Sequence, residues 1–225
     1  MKISIIIPVY NEEKTIKKVV EKVKKSNTLK LKKEIIIIDD GSTDKSKSII
    51  QKIKGVKKIF HKKNKGKGAA VINGIKKSTG NIILIQDADL EYDPENYEKL
   101  LKPFNDKKIQ VVYGVRFNKN IPTKIIVHTI GNLILNALTS AIYLSKISDM
   151  ETGYKIFRKN AVKKMSLKAK GFEFEPEITG KILKKGLKIT EIPITFNPRS
   201  FSEGKKINWK DGVKALKMLI KTRVE

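Results

Sequence analysis

The sequence predicts an α/β fold, a doubly wound, mostly parallel sheet with helices on both faces. Two observations carry that expectation. Short, wholly or almost wholly apolar runs at residues 3–9, 35–38 and 82–85 alternate with longer segments whose apolar residues recur at helical spacing. Strands that are apolar along their whole length are buried on both faces, as in a parallel sheet covered by helices. Such sheets take ligands at the carboxyl ends of their strands.

The elements follow in order. Residues 3–9 form the first strand, and residues 14–25 carry Ile16, Val19, Val20 and Val23 on one helical face, with Asn11 as N-cap. Strand 35–38, helix 42–53 and a shorter strand 56–60 come next. Gly66-Lys67-Gly68-Ala69-Ala70 opens a third helix, followed by strand 82–85, helix 94–104 and strand 111–115. Residues 125–145 are 21 positions without a formal charge, long enough to test against a bilayer span. Asn132, Asn136 and Ser140 interrupt them every four residues, so they predict one or two amphipathic helices instead of a span. Strand 154–157, helix 175–185 and strand 187–194 follow. A closing helix at 209–223 puts Trp209, Val213, Leu216 and Ile220 on one side and Lys210, Lys214, Lys217 and Lys221 on the others.

At 225 residues the chain is sized for one domain, expected over 1–225. Lys and Arg number 49 against 23 Asp and Glu, a net charge of +26, which points to anionic company. Lysine supplies 45 of those cations and Ile another 34 residues, so compositional drift explains much of the excess. The four arginines, Arg116, Arg158, Arg199 and Arg223, are the more informative. Zero cysteines exclude disulfide scaffolds, thiolate metal sites and a Cys nucleophile. The apolar run near the amino terminus is too short for a secretory signal and runs into Glu12 and Glu13, so a cytoplasmic protein is expected.

Acidic residues gather where strands end: Glu12 and Glu13, Asp39 and Asp40, Asp87 and Asp89. Carboxylates so gathered need a cation or hydrogen-bond donors among them. Asp87-Ala88-Asp89, directly after an apolar strand, offers hard oxygen ligands suited to Mg²⁺ or Mn²⁺ on a diphosphate. No G-x-G-x-x-G and no P-loop motif follows a strand, so phosphates must be held in another way. Lys65, Lys67 and the amides opening the third helix are placed to face an anion, and a plain surface turn explains them equally well.

Seven motifs in order then resemble the inverting family 2 glycosyltransferases of GT-A fold, within them the dolichyl-phosphate mannose or glucose synthases. They are Pro8-Val-Tyr-Asn-Glu12, Asp39-Asp-Gly-Ser-Thr-Asp44, Lys67-Gly-Ala-Ala70, Asp87-Ala-Asp-Leu90, Gly114-Val-Arg116, Asp149-Met-Glu-Thr-Gly-Tyr-Lys155, and the segment from Arg199 through Lys205. The resemblance implies that Pro8, Tyr10, Glu12, Ile38 and Asp40 hold the base and ribose of a nucleotide sugar, joined by Asp87, Ala88 and Asp89. It makes Asp87 and Asp89 metal ligands, with Glu91 standing where some relatives carry Gln. Arg116, Arg199 and Lys205 match the cations that line donor and acceptor phosphates. Asp149 stands where many relatives have a general base, or else orients its loop.

A nucleotide half at 1–116, an acceptor half at 117–207 and a closing helix at 208–225 complete the expected division. The implied reaction moves mannose or glucose from GDP-mannose or UDP-glucose to a dolichyl or polyprenyl phosphate. A phosphate monoester is already an anion at neutral pH, so that acceptor needs no base. No C-terminal membrane segments of the kind some relatives carry are expected, and an enzyme peripheral to an anionic membrane on its cytoplasmic face is expected instead. Two alternatives stand beside this: a related transferase acting on a saccharide hydroxyl, which would need Asp149 as base, and a basic polyanion-binding protein with a vestigial site. No nucleic-acid module is recognisable, so no nucleic-acid partner is expected.

Overall fold

The computed structural model describes residues 1–116, 126–198 and 209–225. Its elements are β1 (Lys2–Val9), α1 (Ile16–Lys25), β2 (Lys32–Asp39), α2 (Ser46–Lys52), β3 (Lys57–Phe60), α3 (Lys67–Lys77), β4 (Ile82–Ile85), α4 (Tyr97–Leu101), β5 (Val111–Arg116), α5 (Ile126–Tyr143), β6 (Lys155–Arg158), α6 (Lys159–Val162), α7 (Phe174–Lys184), β7 (Ile189–Ile194) and α8 (Trp209–Val224). The strands form one sheet in the order β3-β2-β1-β4-β6-β5-β7. Every pairing is parallel except the two that β6 makes, with β4 and with β5. The mostly parallel sheet expected from the apolar runs is therefore present, with one reversed strand inside it.

Alternation along each strand divides the core. Ile3, Ile5, Ile7, Ile35, Ile37 and Leu84 face α1 and α4, whereas Ile6, Ile36, Ile38, Ile83 and Ile85 face α3 and α7. A third cluster, Tyr143, Ile147, Met150, Leu183 and Leu219, ties α5 to α7 and α8.

Several boundaries differ from the periodicity, each for a local reason. Asn11 does not cap α1; it sits at φ 56, and its Oδ1 accepts a hydrogen bond from Thr43 N at 2.8 Å. The helix starts later, at Ile16, after a turn in which Glu12 O accepts from Thr15 N and Ile16 N. Residues 42–45 stay out of α2 because their polar groups bind the β1–α1 loop. Asn11 N donates to Ser42 Oγ, Glu13 N to Asp44 Oδ2 and Lys45 N to Glu13 Oε2. The helix expected at 94–104 is one α-turn between two 3₁₀ turns, each containing a proline, Pro94 and Pro103, without an amide hydrogen to donate. The uncharged stretch is a single helix, α5, and among the described residues no helix is long and apolar enough to cross a membrane.

Candidate active site

The sheet brings the carboxyl ends of β1, β2, β4 and β5 to one edge. Because β6 runs the other way, the segment that precedes it, Asp149–Tyr154, arrives at the same edge. The amino ends of α3 and α7 face it as well, since Lys67 of α3 reaches both Asp87 and Glu175 of α7.

The turn after β4 is held from beneath by Gln86, which is wholly buried. Its Nε2 donates to Asp87 O and Tyr92 O at 2.9 and 3.0 Å, and its Oε1 accepts from Tyr97 and Tyr154 hydroxyls at 2.7 and 2.8 Å. All four bonding positions of the amide are used. Above it, Leu90 adopts φ 65 and Glu91 N donates to Asp89 Oδ1 at 3.1 Å. The Asp149–Lys155 segment packs against this turn through Gly153, where a Cβ would lie 2.3 Å from Asp87 Oδ2. Tyr92 Oη accepts from Gly153 N at 2.8 Å and closes the contact.

Lys67 places its ammonium 2.9 Å from Asp87 Oδ1 and 3.0 Å from Glu175 Oε1. Burial works against that charge, but Asp87 and Glu175 outweigh it and hold the Lys67 pKa well above the ordinary ammonium range. Lys155 is buried too. It donates to the carbonyls of Met150 and Thr152, lies over the Tyr113 ring, and burial lowers its pKa to about 8 against the pull of Glu175 and Glu151.

Arg116, at the end of β5, grips Asp149 through Nε and Nη2 at 2.8 and 2.6 Å, and its own backbone N–H donates to the same carboxylate at 3.0 Å. Its guanidinium stacks on Phe196 with 5.4 Å to the ring centre. Asp149 therefore serves as the partner that aims Arg116.

At the β1 and β2 ends, Tyr10 and Glu12 are half-buried, and Glu12 Oε2 accepts from the Thr15 hydroxyl at 2.8 Å. Pro8 and Ile38 are paired in adjacent strands. The Ile38 side chain is fully buried beneath α3, 2.9 Å from where a Cβ on Gly74 would stand, so it packs the core and lines no open surface. Asp40 is saturated by its own chain: His61 Nδ1 at 2.6 Å, Lys65 N at 3.0 and 3.1 Å, and Gly66 N at 2.7 Å. The anion facing the amides before α3 is thus Asp40 itself. Its neighbour Asp39 points to the opposite face of the sheet, 1% exposed, with neither carboxylate oxygen hydrogen-bonded. The doubled Asp at the strand end was the only sequence signal for it.

Ala88 is buried between Asp87 and Asp89, and Glu91 is half-buried. Arg199 and Lys205 lie outside the described residues, as does the Trp209 side chain. Sequence reasoning passed over Glu175 and Glu151, each of which carries a buried carboxylate oxygen without a hydrogen-bond partner. Asp87 and Asp89 suit a divalent cation by chemistry, and Asp87 already draws a cation, Lys67, onto its oxygens. Among the described residues no three His, Asp or Glu groups converge on one point, so phosphate oxygens would have to complete the coordination, as is usual for Mg²⁺.

The model of the family described as glycosyl transferase family 2 matches residues 4–166, from within β1 to just past α6. The chain belongs to that family. Among curated relatives of this family 2 chain, an uncharacterized protein of Methanocaldococcus jannaschii is 32% identical, over 99% of this chain and 92% of its own length. The UDP-N-acetylglucosamine–dolichyl-phosphate N-acetylglucosaminyltransferase of Methanococcus voltae is 33% identical, over 85% of this chain and 84% of its own. The dolichol-phosphate mannosyltransferase of Pyrococcus furiosus is 31% identical over 91% of this chain, which spans 59% of that protein. Among solved structures, glucosyl-3-phosphoglycerate synthase from Mycobacterium tuberculosis, in complex with Mn²⁺, UDP and phosphoglyceric acid, superposes with a TM-score of 0.73 at 19% identity. The match covers 98% of this chain and 76% of that one, and establishes the shared GT-A fold.

Proposed function

We propose that this glycosyltransferase moves a hexose, mannose or glucose, from a nucleotide sugar to a dolichyl or polyprenyl phosphate, with inversion at the anomeric carbon. Residues 1–116 form the donor half, 117–207 the acceptor half and 208–225 the closing helix of one catalytic unit. The observation that carries the acceptor class is the orientation of α5. Asn136 Nδ2 donates to Ser148 O and its Oδ1 accepts from Met150 N, so the helix grips the loop bearing Asp149 with its polar side. Leu133 and Ile134, within one helical turn of Asn136, are left 60% and 55% exposed and suit a lipid chain.

The donor base and ribose lie along Pro8, Tyr10 and Glu12, over the backbone of Ile38 and with the loop that Asp40 fixes. The buried, unpartnered Asp39 carboxylate accepts an N–H of the base, a donor that uracil and guanine both possess. Asp87 and Asp89, with Glu91 adjacent, would hold Mg²⁺ or Mn²⁺ beside the donor diphosphate, where the ion would neutralise the departing nucleoside diphosphate. Arg116, aimed by Asp149, meets phosphate charge together with Arg199 and Lys205 and lets an anionic acceptor approach an anionic donor. The acceptor oxygen is ionised before it attacks, so the engagement of Asp149 by Arg116 costs the reaction nothing. The enzyme works peripherally at an anionic membrane on the cytoplasmic face.

A second reading, transfer to a saccharide hydroxyl, is favoured by one observation, the unpartnered Glu175 Oε2, which could take a proton. The test is incubation with Mn²⁺ or Mg²⁺, a panel of labelled nucleotide sugars and a prenyl phosphate. Label should pass into organic solvent, and Asp89→Ala should lose that transfer. Transfer only to a soluble saccharide would select the second reading.

A further inference from the structure

We infer that Glu175 and Glu151 bind the hydroxyl groups of the transferred sugar, forming with Lys67 a polar subsite next to Asp87. This rests on the donor reading above in one respect, that a nucleotide sugar lies along this edge.

Glu175 is 3% exposed. One of its oxygens is committed to Lys67 at 3.0 Å, and the other, Oε2, is buried with no hydrogen-bond partner. Glu151 carries a second such oxygen, Oε1. A buried carboxylate oxygen left unpaired is costly, so each marks a place where a donor belongs. An ionised carboxylate can only accept, so for Glu175, and for Glu151 once its carboxyl has lost its proton, the missing group is an O–H, an N–H or a cation. Positive charge is already supplied: Lys67 sits between Asp87 and Glu175, and Lys155 acts electrostatically on both Glu151 and Glu175. What the pair lacks is uncharged donors at more than one point, the chemistry of vicinal sugar hydroxyls.

The placement agrees. Lys67 touches Asp87 and Glu175 together, so these two carboxylates stand one ammonium group apart. A diphosphate beside Asp87 would carry its sugar directly towards Glu175. Gly153 lets the segment bearing Glu151 close against Asp87 from the other side, since any side chain there would collide with Asp87 Oδ2. The α7 sequence supports the same geometry: Glu175 stands in the first turn, after a buried Phe174 that fixes the entry of the helix.

The test separates the sugar from the rest of the donor. Calorimetry with Mn²⁺ would give dissociation constants for UDP-glucose, UDP-N-acetylglucosamine and GDP-mannose, and for UDP and GDP, on the parent chain and on Glu151→Gln and Glu175→Gln. The expected result is that the variants bind the preferred nucleotide sugar about ten- to a hundredfold more weakly, the range for hydrogen bonds to a charged group, while the matching nucleoside diphosphate keeps its affinity within about threefold. Equal weakening of nucleotide sugar and nucleoside diphosphate would overturn the inference, as would unchanged donor binding with a collapsed kcat, which would make Glu175 a base. Glu151 makes no ion pair with Lys67, so its variant keeps the inference testable if Glu175→Gln does not fold. A parent chain that binds no nucleotide sugar would instead overturn the donor reading.

Discussion

Gln86 sets the precision of the site at the level of single residues. It is a neutral side chain at the end of an apolar strand, yet it joins the Asp87–Tyr92 turn to two buried tyrosines through four hydrogen bonds. Gln86→Leu keeps much of the volume and strands two hydroxyls and two carbonyls, so unfolding should become easier by about 2–5 kcal/mol, read from denaturant midpoints. Glu151 yields a prediction in pH. Burial, with Glu175 next to it, pushes its carboxyl from 4.5 up to about 7. Between those values the folded chain holds a proton that the unfolded chain has released, so stability falls as pH rises from about 5 to 7. Glu151→Gln removes the titration and should flatten that fall in thermal midpoints taken below the pH at which Lys155 titrates; an identical slope in both chains would exclude Glu151 as the source. Asp87 and Asp89 could be found from sequence because an apolar strand runs straight into them. Asp39 was visible only as half of a doubled Asp at a strand end, and Glu175 gave no signal of its own, because their unpartnered oxygens arise only when β2 and α7 meet residues far away in the chain.

At the scale of elements, β1, β4 and β5 were legible almost to the residue, since burial on both faces leaves a nearly unbroken apolar run, whereas β2 begins three residues before its apolar stretch, at Lys32, and β7 two residues later than expected, at Ile189. The reversed β6 was not legible: nothing in Lys155-Ile156-Phe157-Arg158 sets its direction, which is decided by its partners β4 and β5. That direction is what delivers Asp149 and Glu151 to the site. The polar stripe of α5 was visible as Asn132, Asn136 and Ser140, but sequence alone did not say which way it faced. It turns inward, with Asn136 holding Ser148 O and Met150 N, and Ser140 Oγ accepting from Ile147 N at 3.1 Å. Asn136→Leu should therefore loosen the loop that aims Arg116. We expect a loss of about 1–3 kcal/mol in stability and a drop in kcat of about tenfold or more, with donor KM little changed. Restoration of both by Asn136→Gln would show that the amide, and not the helix packing, is what matters; a kcat untouched by Asn136→Leu would remove α5 from the positioning of Arg116.

Over the whole molecule, the proposed membrane contact would give part of the +26 charge and the outward apolar residues a common role. Beyond Leu133 and Ile134 of α5, the packed neighbour α8 exposes Val213 and Ile220 at 45% and 50%, among Lys214, Lys217 and Lys221. Each lysine near an anionic leaflet contributes about 1 kcal/mol, and apolar side chains at the headgroup level add an attraction that salt does not screen. The two contributions can be told apart. The protein should co-sediment with vesicles rich in phosphatidylglycerol and far less with neutral phosphatidylcholine vesicles, and raising salt should weaken binding without abolishing it. Leu133→Asp with Ile134→Asp should remove the salt-resistant remainder, whereas Lys214→Gln with Lys217→Gln should lower only the salt-sensitive part. If the Asp pair leaves the salt-resistant binding unchanged, the exposed side chains of α5 do not meet the lipid, and the proposed lipid acceptor would have to approach Arg116 by another face.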